Sequence, residues 1–116
     1  MKRILIVDDD ADLRDLYARY LDDAGYCVSV ARDGAEAVDV AMMVQPHAIV
    51  MDVSMPLMNG CEAAGLIRQD SQTATIPIVA LTGEDLAALE GSSFDTMLEK
   101  PLTPPALEEV LADITH

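Results

Sequence analysis

The chain has 116 residues, 51% of them apolar, which suits one folded domain with its own core and argues against disorder. Its formal net charge of -14 speaks against direct contact with nucleic acid or an anionic membrane surface, since both recruit Lys and Arg. One Phe, three Tyr and no Trp predict an aliphatic, Met-rich core.

Ile4-Leu5-Ile6-Val7 is a continuous apolar run that closes on Asp8. A helix follows, with Leu13, Leu16, Tyr17, Tyr20 and Leu21 at i, i+3, i+4, i+7 and i+8, and Gly25 ends it. Tyr26 to Val30 alternates, placing Tyr26, Val28 and Val30 on one face, which predicts an edge strand. Asp33 is positioned to cap a second helix carrying Ala35, Val38 and Met42. Ala48-Ile49-Val50-Met51 is again continuous and closes on Asp52. A third helix runs from near Cys61 through Ala64 to Ile67. Ile78-Val79-Ala80-Leu81 closes on Thr82, and Glu84 to Glu90 forms a short fourth helix. Thr96-Met97-Leu98-Glu99 is a weaker strand closing on Lys100. Leu107, Val110, Leu111 and Ile114 give the last helix an apolar stripe.

Strands alternating with helices, most of the strands continuously apolar, predict an α/β fold with a parallel sheet covered on both faces and right-handed crossovers. The last helix reaches almost to His116, so a single domain over 1–116 is expected. The first apolar stretch is too short for a signal peptide. No run approaches the roughly 20 apolar residues of a membrane span, and a cytoplasmic protein is expected. Cys27 and Cys61 lack the spacing of a disulfide framework or a zinc site. Met42, Met43, Met51, Met55 and Met58 are expected in core or loop packing, and His47 and His116 at the surface.

The polar residues that stand out all follow strands: Asp8 and Asp9, Asp52, Thr82 and Lys100. Open parallel sheets bind ligands outside the carboxyl ends of their strands, so this fold would gather these five residues. Each has an ordinary alternative. Asp8 to Asp10 and Thr82 can cap helices, Asp52 can sit in a turn, and Lys100 can be a solvated strand end. Their shared location at one sheet edge favours a common site. Three carboxylates repel unless a cation compensates, and Mg2+ prefers carboxylate and phosphate oxygens. Lys100 adds fixed positive charge and Thr82 a hydroxyl donor. Positioning and charge stabilisation are what phosphoryl transfer requires, and one carboxylate can then act as nucleophile to give an acyl phosphate.

The segments ILIVDDDADLRDL, ARDGAEAV, AIVMDVSMPLMNG, IPIVALTG and LEKPLT resemble the receiver domains of two-component response regulators, including the single-domain chemotaxis type. The match runs from Lys2 to about Ile114. The resemblance implies a flavodoxin-like three-layer sandwich, with strand order 2-1-3-4-5, five helices and the fourth helix shortened. It implies that Asp52 accepts the phosphoryl group and that Asp9 and Asp52 bind Mg2+ (or Mn2+) directly. Asp8 would bind through a water, and the backbone carbonyl of Ser54 would complete the protein ligands. Thr82 is implied as the hydroxyl that moves toward the phosphate, Lys100 as its ion-pair partner, and Pro101 as a cis-proline. Ser54 and Glu84 would lie near the phosphoryl group and set its lifetime.

Two departures stand out. The switch position three residues before the lysine, Tyr or Phe in this family, is Met97. The stretch from Thr82 to Lys100 is about one helical turn short, which bears on the output surface. The implied partners are a histidine kinase or histidine phosphotransfer protein as donor and a downstream target protein, with no turnover activity beyond the domain's own phosphorylation and dephosphorylation. Two other functions compete. One is a phosphorylation-independent receiver-like binding module, for which Met97 and the short fourth helix speak. The other is a haloacid-dehalogenase-type phosphatase using Asp8, against which stand the absence of a late acidic motif and of room for a cap domain.

Overall fold

The computed structural model describes residues 1–53, 60–83 and 93–115. Five strands, β1 (Arg3–Val7), β2 (Cys27–Ala31), β3 (Ala48–Asp52), β4 (Ile78–Thr82) and β5 (Thr96–Glu99), form one sheet in the order β2-β1-β3-β4-β5. Every pairing is parallel. The helices among the described residues are α1 (Ala11–Asp23), α2 (Gly34–Val44), α3 (Gly60–Gln69) and α4 (Pro104–Thr115). The expected short helix over Glu84 to Glu90 falls outside the described residues, so α4 corresponds to the fifth helix of the sequence reading.

Alternation along the strands divides the core into two layers. Leu5, Val7, Ile49, Met51 and Ile78 face α2 and α3, where Ala37, Ala41, Ala63, Ala64 and Ile67 meet them. Ile4, Ile6, Ala48, Val50, Val79 and Leu81 face the opposite side and pack on Tyr17 and Leu21 of α1 and Leu107 and Leu111 of α4. β3 and β4 are buried along their whole length, as continuous apolar runs require. The edge strands β2 and β5 are only partly covered.

The helical faces are narrower than the periodicity suggests. On α1 the row Leu13-Tyr17-Leu21 meets the core, whereas Leu16 and Tyr20 are exposed. On α2 the buried row is Gly34-Ala37-Ala41; Ala35 is exposed, and so are Met42 and Met43. A helix lying on a flat sheet touches it along little more than one i, i+4 row, and small alanines bring α2 close. Of the methionines expected in packing, Met51 is in the core, Met42 and Met43 are not, and Met55 and Met58 lie outside the described residues. Val30, expected on one face with Tyr26 and Val28, is exposed, whereas those two meet the core.

Helix ends are tied down by specific groups. Asp10 caps α1, its side chain accepting from the Asp12 and Leu13 N–H groups, and Asp33 caps α2 by accepting from Glu36 N–H at 2.8 Å. The C-terminus of α2, which has no basic residue in its last turn, is served from β1. Arg3 donates to the Val44 and Gln45 carbonyls at 2.7–3.1 Å, placing a cation at the negative end of the helix. Gly25, with φ of +101°, turns the chain out of α1 in a conformation that favours glycine.

His47 locks the start of β1 to β3. Its Nδ1 accepts from Arg3 N–H at 2.9 Å and its own N–H donates to the Arg3 carbonyl at 2.7 Å. Burial, then the nearby positive charges of Arg3, Lys2 and the N-terminus, hold its pKa below the ordinary histidine value. The unfolded chain therefore binds the proton first. Stability should be full above pH ~6.5 and decline as pH falls below it, by about 1 kcal/mol for the lost acceptor. His47→Asn, which keeps an acceptor and cannot titrate, should flatten that decline in urea unfolding measured across the acid range.

Candidate functional site

Sheet register assembles the site. Val7 pairs with Met51, so the next residues, Asp8 and Asp52, leave β1 and β3 side by side. Asp52 pairs with Leu81 and Thr82 with Glu99, which puts Lys100 one step beyond the residue that faces Thr82. The chain winds one way from β1 to β2 and the other way to β3, so the order reverses between β1 and β3. The crevice at such a reversal is where doubly wound sheets hold ligands.

Backbone bonds extend the ladders past the strand ends. Asp8 N–H donates to the Ala31 carbonyl at 3.2 Å, Val53 N–H to the Leu81 carbonyl at 3.1 Å, and Lys100 N–H to the Thr82 carbonyl at 2.7 Å. The turn into α1 fixes Asp8 further. Its Oδ1 accepts from Asp10 N–H at 2.9 Å, and Arg14 Nη1 donates to its carbonyl at 3.0 Å. Asp10 is thus both cap and donor, which is how three consecutive aspartates divide their roles.

Asp8, Asp9 and Asp52 each offer a carboxylate oxygen, and these oxygens lie within 4.8 Å of one another. Asp8 and Asp52 are buried and Asp9 is exposed. The Lys100 ammonium stands 3.6 Å from Asp8 Oδ2 and 3.4 Å from Asp52 Oδ2. Burial pushes the Asp8 carboxyl above its usual range, and the charges of Asp9 and Asp10 add to this. The Asp10 N–H bond and Lys100 pull it back without cancelling the rise. One lysine therefore compensates the cluster only in part. Hard carboxylate oxygens converging in a partly buried cleft fit a Mg2+ or Mn2+ ion.

The structure brings Asp8, Asp9, Asp52, Thr82 and Lys100 to one edge, with Thr82 buried. The Lys100–Pro101 peptide bond is cis. Met97, paired in register with Ala80, is half-buried against Val53 and Ala80, beside Phe94. Ser54 and Glu84 lie outside the described residues. The sequence reading passed over Arg14, whose contact with Asp8 has no local signature. It also passed over Tyr17 as more than a core residue. Tyr17 is fully buried, and its hydroxyl donates to the Leu102 carbonyl at 2.7 Å.

The family model described as the response regulator receiver domain matches residues 4–112. Response regulator MprA of Mycobacterium sp. (strain KMS) is 39% identical over 111 residues, which cover 95% of this chain and 47% of that protein. The chain thus spans about half the length of that regulator. The chemotaxis response regulator CheY4 of Vibrio cholerae superposes with a TM-score of 0.89 at 34% identity, over 98% of both chains. The receiver domain of the sensor histidine kinase PA1611 from Pseudomonas aeruginosa does so with a TM-score of 0.89 at 28% identity, over 98% of this chain and 97% of that one. In that structure a magnesium ion is coordinated in the active site cleft. With a family match over most of its length and close superposition on solved receiver structures, the chain belongs to the response regulator receiver domains.

Proposed function

We propose that the chain, acting as a single receiver unit over 1–116, accepts a phosphoryl group on Asp52 from a histidine kinase or a histidine phosphotransfer protein and thereby regulates a partner protein in the cytoplasm. The observation that carries this reading is the convergence of the Asp8, Asp9 and Asp52 carboxylates within 4.8 Å, with the Lys100 ammonium 3.4 Å from Asp52. Receiver domains are signalling domains, and membership of that family replaces the phosphatase reading of Asp8.

An Asp52 carboxylate oxygen attacks phosphorus on the donor phosphohistidine. The new O–P bond forms as the N–P bond breaks, and the imidazole leaves with its electron pair, to be protonated from solvent. Asp8, Asp9, Asp52 and the Ser54 carbonyl would hold Mg2+, which when bound supplies charge neutralisation for the phosphoryl oxygens. Lys100, already between Asp8 and Asp52, pairs with the transferred group. Its fixed ammonium is worth more in this partly buried cleft than in water. Thr82 offers its hydroxyl to a phosphoryl oxygen. Met97 takes the switch position. It packs on Val53, next to the acceptor, and on Ala80, two residues before Thr82, so movement at either is felt there. Methionine is flexible enough to repack in response.

The test is intact mass after incubation with acetyl phosphate and Mg2+, beside a sample in EDTA. A gain of one phosphoryl group that EDTA prevents is the expected result. No gain with acetyl phosphate or with a phosphorylated donor protein would leave a phosphorylation-independent binding module as the better reading.

A further inference from the structure

We infer that Tyr17 is a positioning residue for Lys100: by holding the Leu102 carbonyl, its hydroxyl fixes the segment that carries the ammonium between Asp8 and Asp52. The chemical role of Lys100 rests on the phosphoacceptor reading above; the placement argument does not.

The segment after β5 has two anchors. Lys100 N–H donates to the Thr82 carbonyl at 2.7 Å, and Tyr17 Oη donates to the Leu102 carbonyl at 2.7 Å. The lysine lies between them. Close packing does only part of this work: Leu102 leans on the core layer of α1 and α4, but an open pocket of about 360 Å3 lined by Leu13, Tyr17, Lys100, Pro101 and Leu102 lies beside the segment. Side chains that border the pocket have fewer contact partners on that side, so directional bonds add to packing in setting position. Tyr17 borders the same pocket, but its ring is buried in the layer between α1 and the sheet, so its hydroxyl projects from a rigid base. Burial, and next the Asp8 charge, push its pKa above the ordinary tyrosine value, and the group stays an O–H donor at neutral pH. Tyr17 and Leu102 are 85 residues apart, and their bond joins α1, which begins at the Asp8–Asp10 turn, to the strand end bearing Lys100. Both sides of the Lys100–Asp8 pair are thereby referred to one helix.

Two readouts test this in the full chain. The first is the rate of Asp52 phosphorylation by acetyl phosphate at saturating Mg2+, measured by intact mass for Tyr17→Phe, Lys100→Met and the double variant. Tyr17→Phe is expected to slow uptake about fivefold, and to change nothing further once Lys100 is Met, because a residue that acts through another has no effect in its absence. Equal fractional losses in both backgrounds, or a wild-type rate in Tyr17→Phe, would overturn the proposal. The second needs no phosphorylation. The Lys100 ε-methylene NMR resonance, which senses the Asp8 and Asp52 charges, should move toward that of a solvated lysine in Tyr17→Phe. An unmoved resonance overturns the proposal whatever the rates show. If the wild type takes up no phosphoryl group, the phosphoacceptor reading falls and this resonance decides the role of Tyr17 alone. Should Tyr17→Phe lower the folded fraction, p-aminophenylalanine at that position, which keeps a donor, is expected to restore the resonance; failure to restore it in a folded protein counts against the proposal.

Discussion

Asp52→Asn is expected to abolish phosphoryl uptake, slowing it by about 10^3-fold or more, the scale on which loss of a nucleophile acts, while leaving the protein folded. Asparagine has nearly the same shape but no anionic oxygen to attack phosphorus, so the acyl phosphate has nowhere to form. The fold should not suffer. Asp52 is buried beside Asp8, and removing one negative charge from that cluster relieves repulsion. Lys100 keeps a partner, since its ammonium is also 3.6 Å from Asp8. Intact mass after acetyl phosphate treatment, with circular dichroism on the same sample, separates loss of chemistry from loss of fold. Undiminished uptake by a folded Asp52→Asn protein would move the acceptor to another carboxylate, Asp9 being the exposed member of the cluster.

The placement of most of the site is legible in the sequence because Asp8, Asp52 and Thr82 follow apolar runs and Lys100 closes a weaker strand. Strand-final position follows from local pattern, and parallel topology sends all strand ends to one edge. Asp8, Asp52, Thr82 and Lys100 were therefore found without long-range information. What the pattern could not supply was contact between distant groups. Arg3 closing the end of α2 spans more than 40 residues. Arg68 binds the Ala74 and Ile76 carbonyls and also reaches Ser93 and Asp95 just ahead of β5. These bonds depend on side-chain reach in the folded state and leave no periodic trace. The helical faces were overread for a related reason. Leu16, Tyr20 and Met42 satisfy the periodic template, but α1 and α2 present a narrower face to the sheet than the template allows, and these flanking apolar residues stay in solvent. The division of labour among Asp8, Asp9 and Asp10 was likewise hidden, because it depends on which carboxylate turns inward and which accepts the first helical N–H groups.

The neighbouring carboxylate yields a prediction with two signs. Asp8→Asn should stabilise the metal-free protein at neutral pH, because burial and the like charges of Asp9 and Asp10 outweigh what Lys100 returns to the carboxylate, and Lys100 keeps Asp52 as a partner, so no charge is left unpaired by the change. The Asn amide oxygen can still accept from Asp10 N–H, so the turn into α1 is kept. The pH dependence follows from the raised Asp8 pKa. Between the usual value of 3.8 and the raised folded value, the folded protein holds a proton that the unfolded chain has released. Stability therefore falls as pH rises through that window. Above it the wild type carries the full cost of a buried carboxylate, and below it the cost disappears. The advantage of Asp8→Asn should accordingly be largest at neutral pH and shrink as the solution is acidified through the Asp8 titration. Mg2+ should reverse the order. An ion at a hundredfold excess over its Kd stabilises the wild type by about 2.7 kcal/mol, whereas the variant, lacking one carboxylate of the cluster, should gain much less. Thermal denaturation of both proteins with EDTA and with Mg2+ at neutral pH reads the crossing directly. A variant less stable than wild type in EDTA would mean that Lys100 already compensates Asp8 in full. Equal Mg2+ stabilisation of the two proteins would place the ion away from Asp8.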